Sequence, residues 1–535
     1  MVHMDEVDGF PEGLMNAWTF NLDLLSNKFY EFFWRSPGLF LYRLQHRLNT
    51  RFGWSLSLTR PETTNALVWV REAENFHTRI YIFNYWTEHY NFNNVSISWE
   101  LRNQLGEVVA RDVFAMAPRE SKVIEVSEWL RQKGIASPFI GSLHFERNLG
   151  PGYGAPLRAL QEFYGPNFAT AVHEYGTVAN YKFDDFQIGV SVWPDDKVDD
   201  IEIGILNCNN EEPKTPQPLV LELYNRKGEK VSFPAGELGR AQVFFGSLNA
   251  IYPGWRQFLM GEPGNMALRY AHCTGRPLIF HRYQGGISAC LNHLTGDKSR
   301  SPYVIKGDML KSIGLGPIWC AGFFMTSEVT PYITLIMNWG FHTLFELEGQ
   351  LFDQAGNKIG SFKQQLRPWE TLIKNLADHI PASLPRPFVG SIRLAILPAG
   401  KAPFIPYSFD ANLELVGKGW RAPFNLGSSV VNIDDDPRIK SRHIRRSKNF
   451  IRARSDESYE TYILITNHSS DPRFSVPSDT TLRIISQDGK RESTRKISIP
   501  AWGSLFQSIE ELFPDASTVF GSDPVVTVHF RDPPS

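Results

Sequence analysis

Two segments of the chain bring histidine and aromatic side chains together at matching positions. Residues 161–176 read QEFYGPNFATAVHEYG, and residues 281–296 read HRYQGGISACLNHLTG. Aligned without gaps, they share an aromatic residue at the third place, a glycine at the fifth and a histidine (His173, His293) at the thirteenth. Imidazole can serve as a metal ligand and as a base near neutral pH. A turn glycine between alternating apolar residues indicates a β-hairpin, so we predict two equivalent hairpins that present these histidines.

The second hairpin also carries cysteines. Cys290 and His293 have the short spacing that zinc ligands use, and Cys273 and His281 lie nearby in the sequence. One interpretation is therefore a zinc or iron site formed by Cys273, His281, Cys290 and His293. The alternative is that each histidine hydrogen-bonds within its own hairpin, because the first hairpin offers no cysteine. On that interpretation the protein needs no cofactor.

Aromatic rings beside histidines are suited to holding a glycan or a loop of a protein partner. The predicted binding surface consists of Phe163, Tyr164, His173, Glu174, His281, Tyr283 and His293. If the protein is an enzyme, Glu174 is the candidate acid–base partner of the histidines.

Ordinary catalytic motifs are absent from the sequence: it contains no GxSxG elbow, HExxH helix, Walker loop or EF-hand loop. This favours a non-enzymatic, multi-domain binding or scaffold protein. The alternative function is a metal-dependent enzyme with its site between the two hairpin-bearing repeats.

A fourfold repeat must position these hairpins. Asn84, Asn207, Asn338 and Asn467 each end a β-like run, at spacings of 123, 131 and 129 residues. About 20 residues after each asparagine, a second run ends in a glycine turn, at Gly106, Gly228, Gly356 and Gly489. Such turns supply the positive φ that a hairpin requires. Short alternating strands at this density are typical of a β-sandwich.

We therefore predict an all-β protein, a tandem array of four immunoglobulin-like β-sandwich repeats with a short, partly helical N-terminal extension. The predicted boundaries are 1–60 for the extension, 61–182 for repeat 1, 183–315 for repeat 2, 316–430 for repeat 3, 431–448 for a charged linker and 449–535 for repeat 4. Repeat 4 ends soon after its last strand, so it is expected to lack the extra hairpin of the other three. The basic stretch 438–454 is interpreted as part of a charged linker.

Composition limits the partners. Aromatic residues make up 13% of the 535 residues, which excludes a mainly disordered chain, and the net charge of −2 gives no reason to expect specific nucleic-acid binding. The acidic start MVHMDEVDGF does not resemble a signal peptide, and no stretch predicts a membrane-spanning helix, so we expect a cytoplasmic protein. Residues 23–51 combine an apolar helical pattern with arginines. They are predicted to dock within the molecule, on a partner protein or, less favourably, on a membrane surface.

Overall fold

A computed structural model of the chain describes residues 61–87, 95–151, 157, 159–166, 168–173, 186–194, 198–207, 217–270, 278–283, 286–291, 304–306, 318–336, 344–367, 370–398, 404–406, 411–418, 420–424, 428–430, 448–454, 460–468, 474–521 and 523–531. These residues form antiparallel β-sheets with a few short helices, so the all-β prediction is confirmed. The predicted extension 1–60 and nearly all of the linker 431–448 lie outside the described residues. The repeat boundaries and the number of immunoglobulin-like repeats stay predictions.

The strands of repeats 1 and 2 follow one another without long helices between them. They are β1 (Pro61–Glu72), β2 (His77–Phe83), β3 (Val95–Asn103), β4 (Val108–Met116), β5 (Ser121–Glu125), β6 (Phe139–Pro151), β7 (Ala159–Gly165), β8 (Phe168–His173), β9 (Phe186–Val192), β10 (Val198–Leu206), β11 (Gln217–Tyr224), β12 (Lys230–Leu238), β13 (Val243–Ser247), β14 (Gly264–Tyr270), β15 (Leu278–Tyr283), β16 (Gly286–Leu291) and β17 (Val304–Lys306).

Repeats 3 and 4 contain the remaining strands. They are β18 (Ile318–Met325), β19 (Thr330–Ile336), β20 (Phe345–Asp353), β21 (Lys358–Leu366), β22 (Thr371–Asn375), β23 (Phe388–Pro398), β24 (Phe404–Pro406), β25 (Ala411–Gly417), β26 (Trp420–Phe424), β27 (Ser428–Val430), β28 (Lys448–Arg452), β29 (Tyr462–Thr466), β30 (Ser478–Ile485), β31 (Glu492–Ile499), β32 (Ser504–Ser508) and β33 (Val525–Arg531).

Helical segments in the described residues are at most seven residues long. They are α1 (Val126–Gln132), α2 (Leu248–Ile251), α3 (Trp255–Phe258), a 3-10 turn (Leu376–His379), α4 (Ile509–Leu512) and a π turn (Ala516–Phe520). In this part of the chain no helix is both long and apolar enough to cross a membrane.

One pair of strand orders recurs along the chain. The first sheet runs β1-β6-β3-β4 in repeat 1, β9-β14-β11-β12 in repeat 2, β27-β18-β23-β20-β21 in repeat 3 and β28-β33-β30-β31 in repeat 4. The second sheet runs β5-β2-β7-β8, β13-β10-β15-β16 and β22-β19-β25-β26, and in repeat 4 it consists of β29 and β32. A further two-stranded sheet joins β17 to β24. Among the described residues, repeat 4 thus lacks the hairpin strands of the other three, as its sequence indicates.

The strand pairing departs from the immunoglobulin order at three places. In that order the first strand lies beside the second, the fourth beside the fifth, and the seventh beside the sixth. Here β1 pairs with β6, β4 pairs with β3, and β7 pairs with β2. An alternating pattern identifies strands and their faces but does not specify which strands pair.

Each pair of sheets encloses apolar side chains that alternate inward along the strands. Four large clusters fill these interiors, around Ile97, Ile203, Leu347 and Ile484. At roughly 25 cal/mol for each Å² of buried apolar surface, burial of this kind is the main driving force for folding.

The repeated asparagine fastens two parts of its own repeat. The side-chain amide of Asn84 donates to the Ala117 carbonyl oxygen at 2.7 Å, and that of Asn207 donates to Gly239 at 3.0 Å. In repeat 4, Asn467 donates to the Pro500 carbonyl at 3.2 Å. The asparagine at the end of the second strand therefore holds the turn that precedes the fifth strand.

The glycine turn of one repeat also contacts the next repeat, at the turn that precedes the fifth strand of that repeat. The Gln104 carbonyl, beside Gly106, accepts a hydrogen bond from the Val243 amide at 3.0 Å, joining repeat 1 to repeat 2. The Gln354 carbonyl, beside Gly356, accepts from the Ser504 amide at 3.2 Å, joining repeat 3 to repeat 4.

The same contact joins the last repeat to the first. The Gln487 carbonyl accepts from the Ser121 amide at 2.9 Å. Repeats 2 and 3 also meet, because the Trp193 indole donates to Glu414 at 3.0 Å and packs against Tyr332. The repeats therefore close into a ring, an arrangement that the sequence does not specify.

Candidate functional site

The two predicted hairpins are present, and each extends the second sheet of its repeat. In repeat 1, β7 pairs with β2 and turns into β8 through a two-residue loop, with Gly165 opposite Phe168. In repeat 2, β15 pairs with β10 and turns into β16, with Tyr283 opposite Gly286. The β8 and β16 backbones lie against each other, and β16 also adjoins β26 of repeat 3. Hairpin strands of three repeats thus meet in the molecule.

The strand register corrects the predicted equivalence of the two histidines. Both hairpins have two-residue loops, so Gly165 corresponds to Tyr283, and Phe163 corresponds to His281. Counted along the strands in the same way, His173 of the first hairpin corresponds to Leu291 of the second, which lies two residues before His293. The ungapped alignment was wrong by two residues because a shift of two keeps every side chain on its own face and leaves the alternation unchanged.

Phe163 is fully buried in a cluster of aromatic rings between repeats 1 and 2. Its ring centroid lies 5.8 Å from that of Trp69, 5.6 Å from Phe76 and 5.3 Å from Phe280, which belongs to repeat 2. Tilted and edge-on contacts of this kind stabilise beyond the area they bury. Phe163 therefore holds two repeats together and is not exposed to a ligand.

Backbone and charge complete this joint. A Cβ added to Gly204 of β10 would lie 2.9 Å from the Trp69 ring, so only glycine lets the two sheets approach this closely. Beside it, the Arg71 guanidinium donates to Glu202 of repeat 2 at 2.5 Å. Glu202 also contacts Arg282 at 3.4 Å. Glu202 is 4% exposed, and pairing with arginines compensates its charge for the loss of water.

Tyr164 is half-buried on the opposite face of the same sheet. Its hydroxyl donates to Glu125 at 2.8 Å, and its ring lies under the Arg79 guanidinium, 4.4 Å from centroid to Cζ. Burial and the hydrogen bond to Glu125 raise the pKa of Tyr164. The His77 ring packs against the same tyrosine at 5.4 Å.

An ionic chain that the sequence did not suggest joins repeats 4 and 1 on this face. Glu162 accepts from Arg79 at 3.1 Å and from Arg452 of repeat 4 at 2.7 Å, and Arg452 also contacts Asp523. The Arg452 side chain is 7% exposed. The sequence placed Arg452 in a charged linker stretch, but β28 carries it into this joint. In the sequence, Arg452 lies among apolar residues, and an arginine in such a place indicates a buried partner for its charge.

The remaining predicted residues in repeat 2 are buried. His281 is 2% exposed and pairs in register with Ile201 of β10, and Tyr283 is 5% exposed within the core of repeat 2. Glu174, Cys273 and His293 lie outside the described residues, as do the side chains of His173 and Cys290. Within the described part of the chain, no three His, Cys, Asp or Glu residues are grouped so as to hold a metal ion. The zinc or iron site stays a prediction.

Two other histidines are half-buried near the joints. His144 of β6 contacts Ser142 at 3.2 Å, and burial together with the charges of Arg102 and Arg240 lowers its pKa to about 3. In repeat 4, His468 contacts Thr466 at 3.1 Å, and burial lowers its pKa to about 4. Both histidines are neutral in the folded protein at neutral pH.

No protein-family profile and no curated protein sequence matches the chain. Among solved structures, a glycosyl hydrolase family 2 member from Bacteroides cellulosilyticus aligns at 7% identity and a TM-score of 0.12, over 51% of this chain and 28% of that one. A Streptomyces avermitilis alpha-L-rhamnosidase in complex with L-rhamnose aligns at 9% identity and a TM-score of 0.14, over 90% of this chain and 54% of that one. At these scores, neither likeness identifies a function for this chain.

Proposed function

We propose that the protein is a non-enzymatic scaffold, a ring of β-sandwich repeats that presents its outward surfaces to a protein or glycan partner in the cytoplasm. The observation that carries this proposal is the reuse of one joint. The carbonyls of Gln104, Gln354 and Gln487 each accept from the equivalent backbone amide of the following repeat. A chain that closes on itself through the same contact fixes the relative positions of distant surfaces, which is what a scaffold requires.

Two side chains of the hairpin strand β7 support the same proposal, because both are used in the joints. Phe163 fills the joint between repeats 1 and 2, and Glu162 lies in the ionic chain between repeats 4 and 1. Desolvated groups of this kind stabilise an arrangement when their partners are in place.

Affinity capture from the source cells, followed by reconstitution with the purified partner, tests the scaffold. We expect saturable binding that Gly489→Val abolishes while each repeat stays folded. Elemental analysis of the purified chain is the second arm. One equivalent of zinc or iron that is lost in His293→Ala would overturn the non-enzymatic proposal.

A metal-dependent enzyme is the second candidate, and one observation favours it. β8 ends at His173 and lies beside β16, which carries Cys290, so the two hairpins meet as that function requires. Partner binding that is unchanged in the double variant His173→Ala, His293→Ala, together with substoichiometric metal, would remove this candidate.

A further inference from the structure

We propose that the open edge of β29 in repeat 4 binds an extended strand of a partner protein by β-sheet addition. This inference rests on the proposed scaffold function and names the kind of partner. Among the described residues, β29 pairs with β32 on one side and with no strand on the other. Such an edge offers a row of backbone donors and acceptors to another chain.

The hydrogen bonds around β29 show which backbone groups face this edge. The Asn467 amide donates to Gly503 at 3.1 Å, its carbonyl accepts from Trp502 at 2.8 Å, and the Thr461 carbonyl accepts from Ile509 at 2.9 Å. Backbone groups alternate in direction along a strand. Residues 461, 463, 465 and 467 therefore face β32, whereas the N–H and C=O groups of Tyr462, Leu464 and Thr466 face the open edge.

The same edge is filled in the other three repeats. β7 pairs with β2, β15 pairs with β10, and β25 pairs with β19, all antiparallel. Counted back from the repeated asparagine, Tyr462 occupies the place of Arg79. Arg79 is 9% exposed beside β7, whereas Tyr462 is 47% exposed. The molecule itself thus shows an antiparallel strand at the equivalent edge of three repeats.

The surroundings indicate which side chains the added strand would carry. On one face of β29, Ile463 and Ile465 enter the core of repeat 4. On the other face, the Tyr462 ring stacks on Phe506 at 4.9 Å, and Phe506 stacks on Phe324 of repeat 3 at 5.4 Å. The edge is bordered by apolar groups on both faces, so an extended segment rich in β-branched or aromatic residues suits it best.

A synthetic peptide of residues 411–417, the β25 strand ANLELVG, is the probe, because it fills the equivalent edge in repeat 3. Amide hydrogen exchange of the full chain is the readout. In the free protein we expect fast exchange at Tyr462, Leu464 and Thr466 and slow exchange at Ile463 and Ile465. Saturating peptide should slow the three fast amides, and a peptide N-methylated at alternate residues should leave them unchanged.

Two variants at the exposed first residue of β29 separate backbone pairing from side-chain contact. Tyr462→Pro removes one donor from the open edge and no hydrogen bond to β32, whereas Tyr462→Ala keeps the donor and loses the same ring. We expect peptide affinity to fall about three- to tenfold more in Tyr462→Pro than in Tyr462→Ala, the value of one hydrogen bond. Similar melting temperatures would show that both variants fold.

Three outcomes would overturn the inference. They are slow exchange at these three amides in the free protein, no protection by the peptide at saturation, and equal affinities for the two variants. Concentration-dependent dimerisation that protects the same amides would assign the edge to a second copy instead. Failure of the peptide leaves the ring joints and the metal analysis untouched, so it is distinguishable from failure of the scaffold proposal.

Discussion

The Ser121 amide donates to the Gln487 carbonyl at 2.9 Å, and this hydrogen bond joins residues that are 366 positions apart in the chain. It closes the ring between repeats 4 and 1, which are not consecutive in the chain. Beside it, the backbone of Gly489 lies against Pro118 and Arg119. A side chain added at Gly489 would therefore disturb the joint that closes the ring.

Gly489→Ala should open the joint between repeats 4 and 1. The new Cβ would lie 2.6 Å from the Pro118 carbonyl oxygen, and φ at this residue is +73°. Strain from φ costs about 1–2 kcal/mol, and the clash adds about 1–3 kcal/mol. Urea unfolding measures the loss, and small-angle X-ray scattering should show a larger radius of gyration.

Gly134→Ala is the matched control for this variant. Its φ is +70°, but no atom lies within 4 Å of the added Cβ. It should carry only the conformational cost of about 1–2 kcal/mol and leave the radius of gyration unchanged. Equal effects of the two variants would contradict the docking of the Gly489 turn on repeat 1.

Arg452→Met should destabilise the protein by about 3–5 kcal/mol, because it leaves Glu162 and Asp523 partly buried without this cation. Chemical denaturation at fixed pH and low salt measures the loss. Arg226→Ala removes an arginine whose side chain is 50% exposed beside Glu262, and it should cost at most about 1 kcal/mol. A similar small cost for both variants would show that the ionic chain does not hold the joint.

Phe280→Ala should cost about 3–5 kcal/mol, because the ring fills the space between Trp69, Phe76 and Phe163. The control is Val113→Ala at a position that is 59% exposed, where the change should stay within about 0.5 kcal/mol. Differential scanning calorimetry distinguishes the two. A small loss for Phe280→Ala would mean that the repeats do not depend on this aromatic cluster.

Acid should weaken the protein through His144 and His468. Their folded pKa values, about 3 and about 4, lie below the usual 6.5, so the unfolded chain binds protons first as the pH falls. The two neutral rings make their full contribution to the free energy of unfolding above pH 6.5, and this contribution is lost progressively as the pH falls toward 4. Each histidine adds a slope of at most about 1.4 kcal/mol per pH unit.

Urea unfolding at several pH values from 7 to 4.5 tests this dependence in the wild type, in His144→Gln and in His468→Asn. Each variant should show a shallower dependence on pH, whatever its stability at pH 7. Parallel curves for all three proteins would show that other groups cause the acid sensitivity.

The glycine turns could be read from the sequence because their causes are local. Gly106, Gly228, Gly356 and Gly489 all have φ between +73° and +86°, as the predicted turns require. The predicted binding surface was less accessible to sequence reasoning. Phe163 has the chemistry of a binding site, but its burial against the neighbouring repeat decides that it is covered.

The sequence by itself determined the β-rich architecture and the hairpin turns, because alternation and turn glycines act over a few residues. Only the tertiary structure decided the register of the hairpins, since a shift of two residues leaves the alternation intact. It also decided the closure of the ring. The contact of Ser121 with Gln487 depends on how whole sheets pack, and no local pattern in the chain encodes that packing.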